Sequence, residues 1–125
     1  MVTGLKIEIK ALKKDVIFFL EEVREAIKNN KYIIADRDKN NKTLVNLNFD
    51  RQDVLEELKT LDVNHYVYDL PDERKAGEEN YKVFWKEIQK KGIYIKIKLK
   101  RAKFKVLFCM SFHIGEYEIT KFPYK

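Results

Sequence analysis

Residues 93–100 alternate between apolar and polar side chains without interruption, and this pattern constrains the fold more than any other part of the chain. The apolar positions are Ile93, Ile95, Ile97 and Leu99, and the polar positions are Tyr94, Lys96, Lys98 and Lys100. Successive side chains of a β-strand point to opposite faces of a sheet, so a period of two predicts a strand with one buried face. The chain must therefore build a sheet that other elements cover on the isoleucine side.

Two further strands are predicted beside this one, which together make a C-terminal antiparallel meander of three strands. The strands are 81–88, 93–100 and 104–112, joined by turns at 89–92 and 101–102. The simplest register places Val83 and Trp85 with the isoleucines, against the helices. The opposite face is then expected to carry Lys82, Phe84, Lys86, Tyr94, Lys96, Lys98, Ser111 and His113.

Two amphipathic helices are predicted before the meander. The first covers residues 12–29, with an apolar stripe at helical spacing formed by Val16, Phe19, Leu20, Val23 and Ile27. The second follows Asp50, a favoured N-cap residue, with Asp53 three positions later. Its stripe consists of Val54, Leu55, Leu58 and Leu61. Helices followed by a meander predict a single α+β domain over residues 1–125, with two N-terminal helices packed on a twisted, antiparallel sheet.

The remaining segments are predicted as short or irregular elements. Residues 32–35 favour a short strand, 36–41 a polar loop, and 43–47 a single helical turn. Residues 5–9 alternate and could form either an edge strand or an ordered arm. Residues 69–80 predict a loop of about a dozen residues, a length that is uncommon in a small domain unless the loop is functional or mobile.

The charge of the chain is concentrated toward its C-terminus. Residues 81–125 hold 12 basic and 3 acidic side chains, a net charge of +9, whereas the first 80 residues sum to −3. This asymmetry suggests a polyanionic partner, with nucleic acid first and a membrane surface second. The alternative is a general bias of composition toward lysine. No apolar run approaches the roughly 20 residues that span a bilayer, and the first 14 residues lack the apolar segment of a signal peptide, so cytoplasmic residence is expected.

The predicted exposed face combines lysines with aromatic rings, which is typical of nucleic-acid binding. Lysines pair with phosphates, and Phe84 and Tyr94 can stack on single-stranded bases. The alternative is an ordinary solvated sheet face. No nucleotide-binding glycine loop, paired carboxylates or zinc-ligand spacing is visible, so neither a metal nor a cofactor is expected. The single Cys109 cannot form an internal disulfide, and its expected role is that of a small buried hydrophobe.

Cleavage of RNA without a metal remains chemically possible on such a face. The 2′-hydroxyl attacks the adjacent phosphate, which requires a proton acceptor, positive charge near the phosphorane and a proton donor for the leaving oxygen. His113, Tyr94 and the lysines offer these groups. A tyrosine or lysine would need a lowered pKa for this work, and a dense cationic cluster is expected to lower it.

The C-terminal half resembles the MqsR-type toxins of toxin–antitoxin systems, within the broader RelE-like group of mRNA interferases. The resemblance covers about residues 62–125 and lies in Trp85-Lys86, Ile93-Tyr94-Ile95-Lys96-Ile97, Ser111-Phe112-His113, Glu116-Tyr117 and Phe122-Pro123-Tyr124-Lys125. It implies a RelE-like α+β fold, a metal-independent endoribonuclease acting on mRNA, and a cognate antitoxin that neutralises it. The ribosome is a further candidate partner.

The resemblance also implies roles for individual residues. Tyr94 stands at the family's active-site tyrosine, while Lys86 and His113 stand where the best-known member has a glutamine and a lysine. Tyr94, His113, Lys86 and Lys96 are therefore expected to be catalytic, and Lys82, Phe84, Lys98 and Tyr124 are expected to bind RNA. A further lysine of the family has no counterpart near Tyr66. Two other hypotheses stay open: a non-catalytic RNA- or DNA-binding module that uses the same face, and a protein-interaction domain.

Overall fold

A computed structural model describes residues 8–73, 77–101 and 103–125. Within these residues, the helices are α1 (Lys13–Lys28), α2 (Asp38–Leu47) and α3 (Arg51–Lys59), and a 3-10 turn covers Val63–His65. The strands are β1 (Tyr32–Ile34), β2 (Tyr66–Leu70), β3 (Tyr81–Ile88), β4 (Lys91–Arg101) and β5 (Lys105–Ile114). They form one sheet in the order β1-β5-β4-β3-β2. The α+β class that the sequence predicts is thus confirmed.

The sheet is mixed, and the prediction of a purely antiparallel sheet is wrong at one edge. Strands β2, β3, β4 and β5 pair in antiparallel fashion, whereas β1 pairs with β5 in parallel, with Tyr32 opposite Leu107. The β3–β4 hairpin turns through Gln89 and Lys90, whose φ angles are 52° and 64°. Two consecutive residues with positive φ form a tight two-residue turn, whose twist matches that of the flanking strands. Because the turn is this short, β4 begins at Lys91 and not at the predicted residue 93.

Helices α1 and α3 form where the periodicity predicts them. Residue Asp50 caps α3: the backbone amide of Asp53 donates to its side chain, and the carboxylate of Asp53 accepts from the amide of Asp50, both at 2.9 Å. This reciprocal capping box satisfies two backbone donors at the start of the helix. The apolar stripes of both helices lie buried against the sheet.

Helix α2 is a third helix, where the sequence predicts a loop followed by one helical turn. Its asparagine-rich start has weak helix propensity, and hydrogen bonds to β5 stabilise it instead. The buried Asn40 amide donates to the carbonyls of Ala35 (3.0 Å) and Met110 (3.1 Å) and accepts from the amide of Phe112 (3.0 Å). The Thr43 hydroxyl accepts from the backbone amide of Ile114 on β5, at 2.9 Å. Polar contacts of this kind leave no periodic signal in a sequence.

The helices cover one face of the sheet, the helix face, and the other is called the open face. The predicted facing of β3 is wrong by one residue, since Phe84 lies opposite Ile95 and Trp85 lies opposite Tyr94. Phe84 is fully buried and stacks on Phe19 of α1, with ring centroids 6.4 Å apart. Both alternations of β3 contain apolar and aromatic side chains, so hydrophobicity alone does not choose between them.

The N-terminal arm and the long loop are partly described. Ile9 forms an antiparallel bridge with Asp69 on the edge strand β2, while residues 5–7 of the predicted arm lie outside the described residues. Asp69 and Leu70 belong to β2, so the predicted loop begins later, and its residues 74–76 are likewise outside the description. In the part of the chain that is described, none of the helices combines the length and apolar character needed to cross a bilayer.

Candidate functional site

A cavity of about 350 Å³ opens on the open face, where β3, β4 and β5 lie side by side. The tyrosine and tryptophan side chains in its wall are Tyr68, Trp85, Tyr94 and Tyr117. Its polar lining consists of Arg37, Lys39, Lys96, Ser111, His113 and Glu116. We call this the aromatic cavity. It brings together side chains from β2 to β5, the start of α2 and the C-terminal segment.

Three of the four predicted catalytic residues meet in the aromatic cavity. Tyr94 lies directly opposite His113 on β5, and their rings stack with centroids 5.3 Å apart and planes 24° apart. Lys96 lies opposite Ser111, one step further along the same face. The strict alternation of β4 and its pairing with β5 therefore bring a phenol and an imidazole together, as predicted. The Lys96 side chain lies in the same wall, and its ammonium lies over the ring of Tyr81, 4.7 Å from the centroid.

The imidazole of His113 has a defined orientation. Its Nδ1 lies 3.0 Å from the carbonyl oxygen of Ile114. A carbonyl oxygen can only accept, so this nitrogen carries a proton and donates it. The other nitrogen, Nε2, is left to accept a proton from a substrate when the ring is neutral and to donate one when it is charged.

The phenol of Tyr94 is held in its neutral form. Burial raises its pKa well above the ordinary value, and the neighbouring Tyr68 adds to this through its charge and a hydrogen bond. The positive charge of Arg37 acts in the opposite direction but does not reverse the shift. The expectation of a lowered tyrosine pKa is therefore wrong, and Tyr94 is suited to donate a hydrogen bond or a proton rather than to act as a base.

Sequence reasoning missed Arg37, which places a guanidinium group in the aromatic cavity. Its Nη1 donates to the hydroxyl of Ser111 (2.9 Å) and to the carbonyl of Met110 (3.2 Å). Met110 lies at the bulge in β5, where the register of pairing with β4 shifts between Lys96 and Ile97, and its carbonyl also accepts from Asn40. No linear motif announces this arginine, because it reaches the site only through the docking of α2 on β5.

Trp85 lies on the open face, and two glycines make room for its ring. A Cβ atom built on Gly92 would come within 2.0 Å of the indole, and one on Gly115 within 2.2 Å. The two glycine backbones are joined by a hydrogen bond of 2.9 Å. The indole thus rests on bare backbone at the edge of the aromatic cavity, which contradicts the prediction that it faces the helices.

Three residues predicted for the exposed face lie on the helix face instead. The Lys86 ammonium donates to the hydroxyl of Thr60 (2.6 Å) and pairs with Glu57 (2.9 Å), both from α3 or its C-cap. Lys82 pairs with Asp69 at 2.8 Å, and Phe84 lies in the core. The one-residue error in the facing of β3 explains all three. None of them lines the aromatic cavity.

Two further residues predicted to bind RNA are also engaged elsewhere. Lys98 faces the open side, but its side chain is only 2% exposed because the segment after β2 covers it, with Asp72 at 2.6 Å. Burial alone would lower the pKa of Lys98, and the hydrogen bond from its ammonium to Asp72 holds the pKa above the ordinary value instead. The Tyr124 hydroxyl donates to the carbonyl of Ala11, and its ring stacks on Tyr66.

The thiol of Cys109 and the imidazole of His65 both lie outside the aromatic cavity and make contacts within the fold. Cys109 is fully buried, as expected, and burial raises the pKa of its thiol to about 12. The Nδ1 atom of His65 accepts from the backbone amide of Asp62 at 2.9 Å, and burial lowers the pKa of this histidine. Among the described residues, no group of three or more His, Cys, Asp or Glu side chains is arranged to hold a metal ion.

Comparison with known proteins gave no match to any protein-family model, any curated protein or any solved structure.

Proposed function

We propose that the protein is a metal-independent endoribonuclease that cleaves single-stranded mRNA and acts as the toxin of a toxin–antitoxin pair, with a RelE-like arrangement of its sheet. The observation that carries the proposal is the convergence of His113, Tyr94, Lys96 and Arg37 on one aromatic cavity. A proton acceptor, a neutral hydroxyl donor and two cations are the groups that transesterification of RNA requires.

The orientation of each group suggests its role in the reaction. Nε2 of neutral His113 takes the proton of the 2′-hydroxyl as that oxygen attacks the adjacent phosphorus. Arg37 and Lys96 stabilise the negative charge of the phosphorane. Tyr94, which is protonated before the reaction, donates a hydrogen bond to the phosphorane and then passes its proton to the leaving 5′-oxygen. The products are a 2′,3′-cyclic phosphate and a free 5′-hydroxyl.

The aromatic side chains favour a single-stranded substrate. Unpaired bases can stack on exposed rings, whereas bases in a duplex are already stacked and paired. Trp85 and Tyr68 border the groups proposed to catalyse the reaction. A nucleotide whose base stacks on these rings would therefore bring its phosphate toward His113 and Arg37.

The proposal is tested with purified protein and single-stranded RNA in the presence of EDTA. Wild type should produce 2′,3′-cyclic phosphate ends, and H113A and Y94F should each lower the cleavage rate about 100-fold while RNA binding changes little. The matched control is H65A, which removes the other histidine, outside the aromatic cavity, and should leave the rate unchanged. Intact RNA at high enzyme concentration, with and without ribosomes, would contradict the proposal.

A second candidate function is a non-catalytic RNA-binding module that uses the same cavity. The position of Lys86 favours this candidate. The family resemblance implies a catalytic role for Lys86, but its ammonium contacts Thr60 and Glu57 and not the aromatic cavity. Such a module would bind RNA in a salt-dependent way without turnover. Y94F then separates the two functions, since a binder has no rate to lose.

The proposed toxin function rests on the resemblance over residues 62–125, and it has its own test. Induced expression should arrest growth, and coexpression of the product of the neighbouring reading frame should relieve the arrest. The H113A variant serves as the matched control, because a toxin that acts by cleavage should lose its toxicity with its activity. Equal toxicity of wild type and H113A would separate growth arrest from the proposed chemistry.

A further inference from the structure

A second cavity, of about 260 Å³, adjoins the aromatic cavity on the side of α2. We call it the α2 cavity. Helix α2 contributes Lys42, Thr43 and Asn46 to its wall. The two cavities share Lys39, His113 and Glu116 as lining residues, so the imidazole proposed to catalyse cleavage stands between them.

We propose that the α2 cavity binds the second of the two nucleotides that flank the scissile phosphate, and that Asn46 reads the base of that nucleotide. This inference rests on the proposed endoribonuclease function. A phosphodiester joins one nucleotide on each side, so a phosphate held at His113 directs one of them into the aromatic cavity. The other nucleotide must leave on the opposite side of the imidazole, where the α2 cavity lies.

The two cavities differ in chemistry, and the difference assigns base selectivity to the α2 side. Stacking on Trp85 or Tyr68 tolerates any base, because every base has a π-face. The lining of the α2 cavity includes no tyrosine, tryptophan or phenylalanine, and its one aromatic ring is the imidazole of His113, which the two cavities share. The Asn46 side chain carries both a donor and an acceptor, which can make paired hydrogen bonds with the edge of an unstacked base. Lys42, on the same helix, supplies positive charge beside it.

The rim between the cavities also suits a phosphate. Lys39 of α2 forms an ion pair with Glu116 of the C-terminal segment, and both side chains are 56% exposed. An exposed ion pair is worth little in water, so a phosphate can compete with a carboxylate for the ammonium of Lys39. The substrate backbone can thus pass from one cavity to the other along this rim.

The test compares cleavage-site preferences on a pool of random single-stranded RNA hexamers, read by sequencing the products. Wild type should favour one base about tenfold or more at one of the two positions that flank the cut. N46A should abolish the base preference at that position and leave the base preference at the other flanking position unchanged. Alanine is the better helix former, so N46A is expected to keep α2 intact. The matched control is N41A, on the same helix but outside both cavities, which should cleave as wild type does.

The outcomes distinguish this inference from the proposed function. Cleavage by wild type with the same base preference in N46A would overturn the role of Asn46 and leave the endoribonuclease standing. Equal cleavage of all sequences by wild type, or a loss of preference at both flanking positions in N46A, would likewise overturn it. A wild-type protein that leaves every hexamer intact would overturn both.

Discussion

Replacing Glu22 with Gln should make the protein less stable at neutral pH, by an amount that the geometry sets. The carboxylate of Glu22 lies on the buried side of α1, with 4% of its side chain exposed. It forms a two-pronged pair with the guanidinium of Arg101, at 2.6 Å and 2.8 Å, and accepts from Lys105 at 2.9 Å. The hydrogen bonds from Arg101 lower the pKa of Glu22 from an ordinary value of 4.5 to about 2, although burial opposes the shift.

This shift converts into a difference in the free energy of unfolding. A lowering of about 2.5 pKa units corresponds to about 3.4 kcal/mol, at about 1.36 kcal/mol per unit. Arg101 and Lys105 are 40% and 45% exposed, so solvent screens part of their charge, and we expect about 2 kcal/mol for E22Q at pH 7. Because the folded-state pKa is depressed, this stability is present above about pH 4.5 and is lost as the pH falls toward 2.

The assay is urea unfolding of wild type and E22Q at pH 7 and at pH 3. The difference between the two proteins should shrink at pH 3 to less than half of its value at pH 7, because the unfolded chain of wild type is then already protonated at Glu22. E21Q alters an exposed carboxylate on the same helix and should change the free energy of unfolding by less than about 0.5 kcal/mol. A difference that is equal at both pH values would refute the electrostatic explanation.

Four other substitutions probe the site and its supports. G115A should push the indole of Trp85 away, shift the fluorescence of this single tryptophan, and cost about 1–3 kcal/mol of stability in urea unfolding; an unchanged emission spectrum would contradict the close packing. K96A should lower the rate of RNA cleavage about 100-fold. K86A should leave that rate unchanged and reduce the free energy of unfolding by about 1–2 kcal/mol, because the ammonium of Lys86 contacts Glu57 and Thr60 on the helix side. The reverse result in cleavage assays would restore the predicted facing of β3. K98A should reduce the free energy of unfolding by about 3 kcal/mol, since it removes the buried ammonium that pairs with the Asp72 carboxylate at 2.6 Å. A change below about 1 kcal/mol would show that the ion pair is not buried in solution.

The parts of the site that follow from local pattern could be predicted, and the parts that depend on packing between distant segments could not. The alternation of β4 fixes the face of Tyr94 and Lys96, and pairing with the next strand adds His113. Arg37 was unpredictable because it arrives with α2, a helix that buried hydrogen bonds of Asn40 hold against β5. The two partners of each of these hydrogen bonds are 70 or 72 residues apart in the sequence, so no local pattern contains both.

The positive charge of the C-terminal third is a second feature whose role depends on contacts between distant segments. At least five of the 12 basic residues in 81–125 pair with acidic residues from the first 80: Lys82, Lys86, Lys98, Arg101 and Lys105. Much of the net charge of +9 therefore joins the sheet to the helices and the loop, and the cations in the aromatic cavity are Arg37, Lys39 and Lys96.

A single-stranded RNA that contacts these three cations should release few counterions. The variant H113A is proposed to bind RNA without cleaving it. The logarithm of its binding constant should fall against the logarithm of the salt concentration with a slope of about −2, at about −0.7 per phosphate neutralised. Fluorescence anisotropy of a labelled hexamer over a range of salt concentrations measures this slope, and K82A is the control that should leave it unchanged. A slope of about −6 or steeper would mean that the paired lysines also reach the RNA, because only a surface of eight or more cations produces such a dependence. The sequence-level charge would then describe the binding surface better than the ion pairs do.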